Sequence, residues 1–296
     1  LNAEILFEKG FYRQCLSILE KAKKIARQYE KHLQIMEIID WEKRIITSQP
    51  DLIKQKRSVD EIWEEETQLI EKIKNINEYF NISSNIIHLA RNTGGVRNSE
   101  SLEKLEKLFQ HPLLNNEQQI LSFEAKIYFF HIHSIYFREK GEIEASYYYC
   151  EKLVALFESF PHKIKKEPRQ YIAALSNLLL CQEELKKTDA FLNTIHKLRT
   201  MPEKSKDIQS RIFANSFLQE LRMYIRTGQF ERGISIIQDI EKGLQKYQGR
   251  IGSALQLNMY YYISCIWFGA DNYSKSLHWL NKLLNLFKTE QRKDMY

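Results

Sequence analysis

Leu221-Arg-Met-Tyr-Ile-Arg-Thr-Gly228-Gln-Phe230-Glu-Arg-Gly233-Ile234-Ser-Ile-Ile237-Gln-Asp-Ile240 is the stretch whose reading decides the fold. An amphipathic helical pattern stops at a glycine. An aromatic follows two residues on, and a second helical pattern places a small residue three positions beyond it. These are the marks of one helical hairpin, because the residue past a helix C-terminus is cheapest as a left-handed glycine. Forty-three residues later Asp271-Asn-Tyr273-Ser-Lys-Ser276-Leu277-His-Trp-Leu280-Asn-Lys-Leu283 repeats the grammar. The unit is therefore a repeat, and the remaining chain is best read on its period.

One frame fits five segments: a turn residue, then a lead residue two later, a small residue at five, and apolar residues at six, nine and twelve. The first is Tyr12, Cys15, Leu16, Leu19 and Ala22 after Gly10, and the second is Ile143, Ser146, Tyr147, Cys150 and Leu153 after Gly141. Thr188, Phe191, Leu192, Ile195 and Leu198 follow Lys186, and Phe230, Gly233, Ile234, Ile237 and Ile240 follow Gly228. Tyr273, Ser276, Leu277, Leu280 and Leu283 follow Asp271. Spacings of three and four set such residues on one stripe, and a small one lets two helix axes approach. Lys186 and Asp271 stand where glycine is expected and would be strained at positive φ. Phe191 replaces the small residue and predicts a more splayed hairpin.

The last four turns lie 45, 42 and 43 residues apart, and the gap of 131 from 10 to 141 holds three such periods. Two further turns are expected near 53 and 97, where Gln49-Pro50-Asp51 and Thr93-Gly94-Gly95 supply breakers. The whole is predicted to be all-α, a right-handed solenoid of about seven helical hairpins over 1–296, less regular at 50–112. In that region the spacing predicts a long helix from Val59 through Ile76, with Glu64-Glu65-Glu66 on a solvated face, and a short helix from Asn98 or Ser99 to Phe109. Asn116 to Lys140 is expected to form the first helix of the fourth hairpin. Pro161, Pro168 and Pro202 fall between helices, as breakers should.

Composition agrees. Ten glycines and five prolines in 296 residues are too few for a strand-and-turn protein, while 43% hydrophobic residues suffice for a core. The charge of +6 is spread along the chain and permits an acidic partner without demanding one. Cys15, Cys150, Cys181 and Cys265 are far apart, lack a Cys-x-x-Cys pair and sit among apolar neighbours, which fits reduced, buried thiols and a cytoplasmic setting. No apolar run approaches the ~20 residues of a membrane span. The chain opens on Leu1 inside a helical pattern, as expected of a fragment of a longer protein.

These residues resemble the tetratricopeptide repeat. Arg138-Glu-Lys-Gly141-Glu-Ile143-Glu-Ala-Ser146 and Arg226-Thr-Gly228-Gln-Phe230-Glu-Arg-Gly233 are similar to that family's turn, and Tyr224 and Trp267 match its first-helix aromatic. The five framed units cover roughly three quarters of the chain. The period departs from the family's ~34 residues by about one helical turn per helix, a spacing found in longer-helix tetratricopeptide-like regulators of bacteria. The resemblance implies a scaffold or regulatory module that binds a peptide or protein segment in a concave groove lined by first helices. Its groove positions project onto Tyr128, His131, Arg138, Ser176, Glu183, Asn215, Arg222, Arg226, Asn258 and Tyr261. The lysine and asparagine clamp of some members is not recognisable.

The sequence offers little for catalysis. His131 and His133 are two apart and point about 200° from one another on a helix, so they cannot share a metal; no metal or other cofactor is expected. Gly94-Gly95 lacks the strand and lysine of a phosphate loop. No nucleophile stands at a diagnostic spacing from a base, so an enzyme is not expected. The alternative to a protein-binding module is a helical-repeat reader of single-stranded nucleic acid, suggested by Arg138, Arg222 and Arg226. The groove positions do not recur from unit to unit as such a reader requires, so nucleic acid is the weaker expectation.

Overall fold

The computed structural model describes residues 2–54, 57–92 and 99–290. Among these every regular element is helical, and the chain divides into two compact units, Leu1–Gly141 and Glu142–Tyr296. The first unit holds α1 (Asn2–Glu8), α2 (Tyr12–Gln28), α3 (His32–Ser48), α4 (Pro50–Lys54), α5 (Val59–Asn92), α6 (Ser99–Phe109) and α7 (Phe123–Glu139). The second holds α8 (Ile143–Glu158), α9 (Pro161–Lys166), α10 (Pro168–Glu184), α11 (Thr188–Arg199), α12 (Lys206–Arg226), α13 (Phe230–Lys246), α14 (Ser253–Gly269) and α15 (Tyr273–Glu290).

All five turn residues of the sequence frame adopt positive φ: Gly10, Gly141 and Gly228 at 74°, 78° and 68°, Lys186 at 56° and Asp271 at 57°. A common hydrogen-bond pair closes four of these turns. The Gln229 N–H donates to the Tyr224 carbonyl (2.9 Å) and the Gly228 N–H to the Ile225 carbonyl (3.2 Å), and Phe11/Gly10, Lys187/Lys186 and Asn272/Asp271 do the same. This is the six-to-one and five-to-two closure that satisfies the last carbonyls of a helix. The same closure ends α2 at Glu30, φ 49°, a turn the frame does not mark because glutamate gives no signal for it.

The buried stripe runs through positions five, nine and twelve of the frame. Cys15, Ser146, Phe191, Gly233 and Ser276 are buried, as are Leu19, Cys150, Ile195 and Ile237, then Leu153, Leu198, Ile240 and Leu283. Position six follows expectation at Leu16, which is buried, and not in the other four segments. Leu192 and Leu277 are exposed, and Tyr147 and Ile234 are half-buried. One residue beyond position five is 100° round the helix, at the edge of the buried arc rather than within it. Ala22 is also exposed, while its neighbour Lys23 is buried. Small residues set the spacing as argued: a β-carbon at Gly233 would overlap the Ile266 side chain, and one at Gly243 the ring of Phe213.

The first unit departs from a regular repeat. The break expected near 53 falls at Gln49, and Pro50 opens α4, whose first-turn position tolerates proline's missing N–H. The long helix is longer than its pattern suggests: α5 runs 34 residues, about 50 Å, where the second helix of one hairpin and the first of the next would stand. It packs on α3 near its start and on α7 further along. The turn expected near 97 lies outside the described residues; α6 starts at Ser99 and ends at Phe109 as expected. The helix expected over Asn116 to Lys140 begins only at Phe123. Pro112–Leu114 and Glu117–Gln119 are short 3-10 turns, and the Ser122 side chain caps α7 by accepting from the Ala125 N–H at 3.1 Å.

Candidate functional site

In the second unit α10 packs against α12 and α12 against α14, while α11, α13 and α15 each pack on the first helix that precedes them. The first helices thus lie side by side in the order α10, α12, α14. Seven of the ten expected groove residues sit on these three helices; Tyr128, His131 and Arg138 are on α7 of the first unit.

Glu183, Arg222 and Arg226 converge. The Glu183 carboxylate on α10 is almost wholly buried, with a side-chain exposure of 2%, and Arg222 of α12 donates to its Oε2 from Nε at 2.7 Å and also from Nη2. Arg226, one turn further along α12, brings Nη1 to 3.3 Å from Oε1. Two guanidiniums share one carboxylate, so the trio carries one net positive charge, most exposed at Arg226. Glu183, expected to line the groove, is thus buried beneath the two arginines; a carboxylate paired this well tolerates burial. Glu184 is exposed.

The other groove residues are spaced along the same helices. Ser176 donates to the Ile172 carbonyl at 2.8 Å, and Asn215 Nδ2 to the Arg211 carbonyl at 2.8 Å, so the Asn215 side chain is fixed by its own helix. On α14 Asn258 is exposed, and Tyr261 is 48% exposed with its ring 5.6 Å from that of Tyr262. Cys265, through its charge and then its hydrogen bond, pushes the Tyr261 hydroxyl above its usual range, so the phenol is protonated at neutral pH. Tyr260 turns inward against Trp279, ring centres 5.3 Å apart, and its hydroxyl accepts from Gln256 Nε2 at 2.6 Å.

On α7, Tyr128 is half-buried, edge-on to Phe80 at 5.9 Å, and donates to Glu124 at 3.4 Å. Burial and then Glu124 push its hydroxyl upward. His131 and Arg138 are half-buried. His133 points away from His131 into the core, its Nδ1 2.8 Å from the Phe129 carbonyl and its ring against Phe109 and Phe129; burial holds its pKa below the usual value.

A second polar cluster, absent from sequence expectation, lies in the first unit. Lys23 is 5% exposed, and its ammonium meets Glu42 (2.9 Å) and Glu65 (2.8 Å). Arg57 bridges the same carboxylates at 3.2 and 2.8 Å, and Arg27 adds to Glu65. Glu66 pairs with Lys43. The Glu64-Glu65-Glu66 run is thus a solvated face only at Glu64, which is exposed; Glu65 seats α5 on α2. Burial alone would raise the Glu65 pKa, but hydrogen bonds from Arg27, Lys23 and Arg57 and the charge of Lys23 hold it down at about 2. Buried amides were missed as well. Gln182 and Gln219 each keep an Oε1 inside the second unit with no hydrogen-bond partner among the described residues.

Among the described residues no three His, Cys, Asp or Glu side chains gather as metal ligands, and no helix is long and apolar enough to cross a membrane. Comparison of the chain with protein-family models, with curated proteins and with solved structures finds no match.

Proposed function

We propose that the chain is a non-catalytic interaction or regulatory module, a right-handed tetratricopeptide-like solenoid that binds a peptide or protein segment along its first helices. The observation that carries this reading is the side-by-side order of α10, α12 and α14 with Arg226, Asn258 and Tyr261 accessible on them. Amide side chains offer a donor and an acceptor together, as an extended backbone needs. Tyr261 supplies a rigid aromatic contact at small entropic cost. The surplus charge of the Glu183, Arg222 and Arg226 trio suits a ligand carboxylate. The alternative, a single-stranded nucleic-acid reader, has less support because the groove positions do not recur from unit to unit as one base per repeat would require.

The test is selection of displayed random peptides on the chain, followed by binding measurements with an Asn258→Ala, Tyr261→Ala variant. Both side chains are accessible, so the variant should melt as the parent does while its affinity falls at least ~10-fold, the loss of one aromatic anchor. Arg222 is unsuitable for this purpose, since its removal strands a buried carboxylate. Failure to enrich any peptide, or equal binding by the variant, overturns the assignment. Salt-sensitive retention on a single-stranded DNA column would favour the alternative.

A further inference from the structure

Two cysteines that stand 31 residues apart in the chain meet inside the second unit. Cys150 of α8 and Cys181 of α10 bring their sulfurs to 3.9 Å, and the two residues are 2% and 1% exposed. The Ser146 hydroxyl, one turn before Cys150, lies 3.4 Å from the Cys181 sulfur. A lone buried thiol is an inert small hydrophobe; two in contact can react with one another. Cys15 is of the first kind, its thiol donating to the Ala3 carbonyl at 3.2 Å.

The repeat shows that the fold requires a thiol at neither place. Cys150 stands nine residues after its turn, and Cys181 five before the next one. In the following hairpins the first place holds Ile195 and Ile237 and the second Met223 and Ile266, all buried. The surrounding contact recurs as well. Position five of α13, Gly233, meets Ile266 of α14, as position five of α8, Ser146, meets Cys181 of α10. Small and apolar side chains thus set the helix spacing, and the facing thiols are added to it.

We propose that Cys150 and Cys181 form a reversible disulfide that ties α8 to α10 when a small peroxide reaches the second unit. A disulfide needs ~2.05 Å between sulfurs, so each must advance about 0.9 Å, which a turn of about 30° at each χ1 supplies. Burial shuts out bulky disulfide reagents, so the oxidant is hydrogen peroxide, which is little larger than water. The Cys181 thiolate attacks one peroxide oxygen: the S–O bond forms, the O–O bond breaks, and the departing hydroxide takes up the thiol proton as water. The Cys150 thiolate then displaces the hydroxyl from the Cys181 sulfur, which forms the S–S bond and releases a second water. Two thiols are oxidised and one peroxide is reduced. Ser146 is placed to donate to the Cys181 thiolate, which makes that sulfur the first to react.

The test uses the 296-residue chain, reduced and then exposed to hydrogen peroxide while folded. A tryptic digest should contain residues 141–152 linked to 170–186, and dithiothreitol should separate them. The linked chain should unfold in urea with an equilibrium constant ~100-fold smaller, because the bridge restricts the unfolded chain. Cys150→Ala and Cys181→Ala should each keep the parent's helical circular dichroism and show no such gain after the same treatment. Thiols that stay reduced, thiols that end as unlinked sulfinic acids, or a linked chain no more stable than the reduced one overturns the proposal. Peptide binding at α10, α12 and α14 is read separately, so either proposal can fail alone.

Discussion

Replacing Glu65 by glutamine should weaken the first unit at neutral pH and do so progressively less in acid. The carboxylate titrates near 2 in the folded chain against an ordinary value of 4.5. At ~1.4 kcal/mol per tenfold change in proton affinity, that difference sets a ceiling of about 3 kcal/mol. Glu65 keeps 17% side-chain exposure and Arg27 58%, so water screens part of the attraction; about 2 kcal/mol is the expected loss. The sign follows from the lowered folded value: the contribution is complete above pH ~5 and disappears as pH falls through about 2. Urea unfolding followed by circular dichroism at pH 7 and pH 3 should show Glu65→Gln well below the parent at the first and closer to it at the second. A deficit that is absent at pH 7, or equally large at pH 3, refutes the claim that charge fastens α5 to α2.

Gly243→Ala should cost about 1–3 kcal/mol in urea unfolding despite alanine's better helix propensity, because its methyl must displace the Phe213 ring; a stabilised variant would contradict this packing. Lys186→Gly should raise the unfolding free energy by up to about 1 kcal/mol by relieving a left-handed lysine, φ 56°. A fall in stability would mean that the turn does not have this conformation.

The turns were readable because each repeats the same chemistry at a regular interval, and even Lys186 and Asp271 could be placed by counting from glycine neighbours. The buried stripe was readable at positions five, nine and twelve, where apolar periodicity and burial coincide. It misled at Ala22 and Lys23. A lysine enters a core only when carboxylates meet it, and Glu42 and Glu65 come from helices 19 and 42 residues away in the chain. Nothing local marks such a partnership. The same blindness affected Glu183, expected to line the groove, whose burial follows only once the arginines of α12 are in place. Asn258 and Tyr261 were named from the groove positions that the resemblance implies, and both are exposed on α14. The length of α5 was only half legible: its apolar pattern continues, but a counted period demands a turn that no residue between Val59 and Asn92 enforces.

That helix is fastened differently along its length. Near its start Glu65 and Glu66 hold it by charge, and further along Tyr79 and Phe129 hold it by ring contact, with the Tyr79 hydroxyl donating to the Leu113 carbonyl at 2.7 Å. Charge yields to salt and acid, whereas apolar contact resists both and is lost to urea. A single rod is therefore clipped at one end and glued at the other, so the solvent chooses which end lets go first.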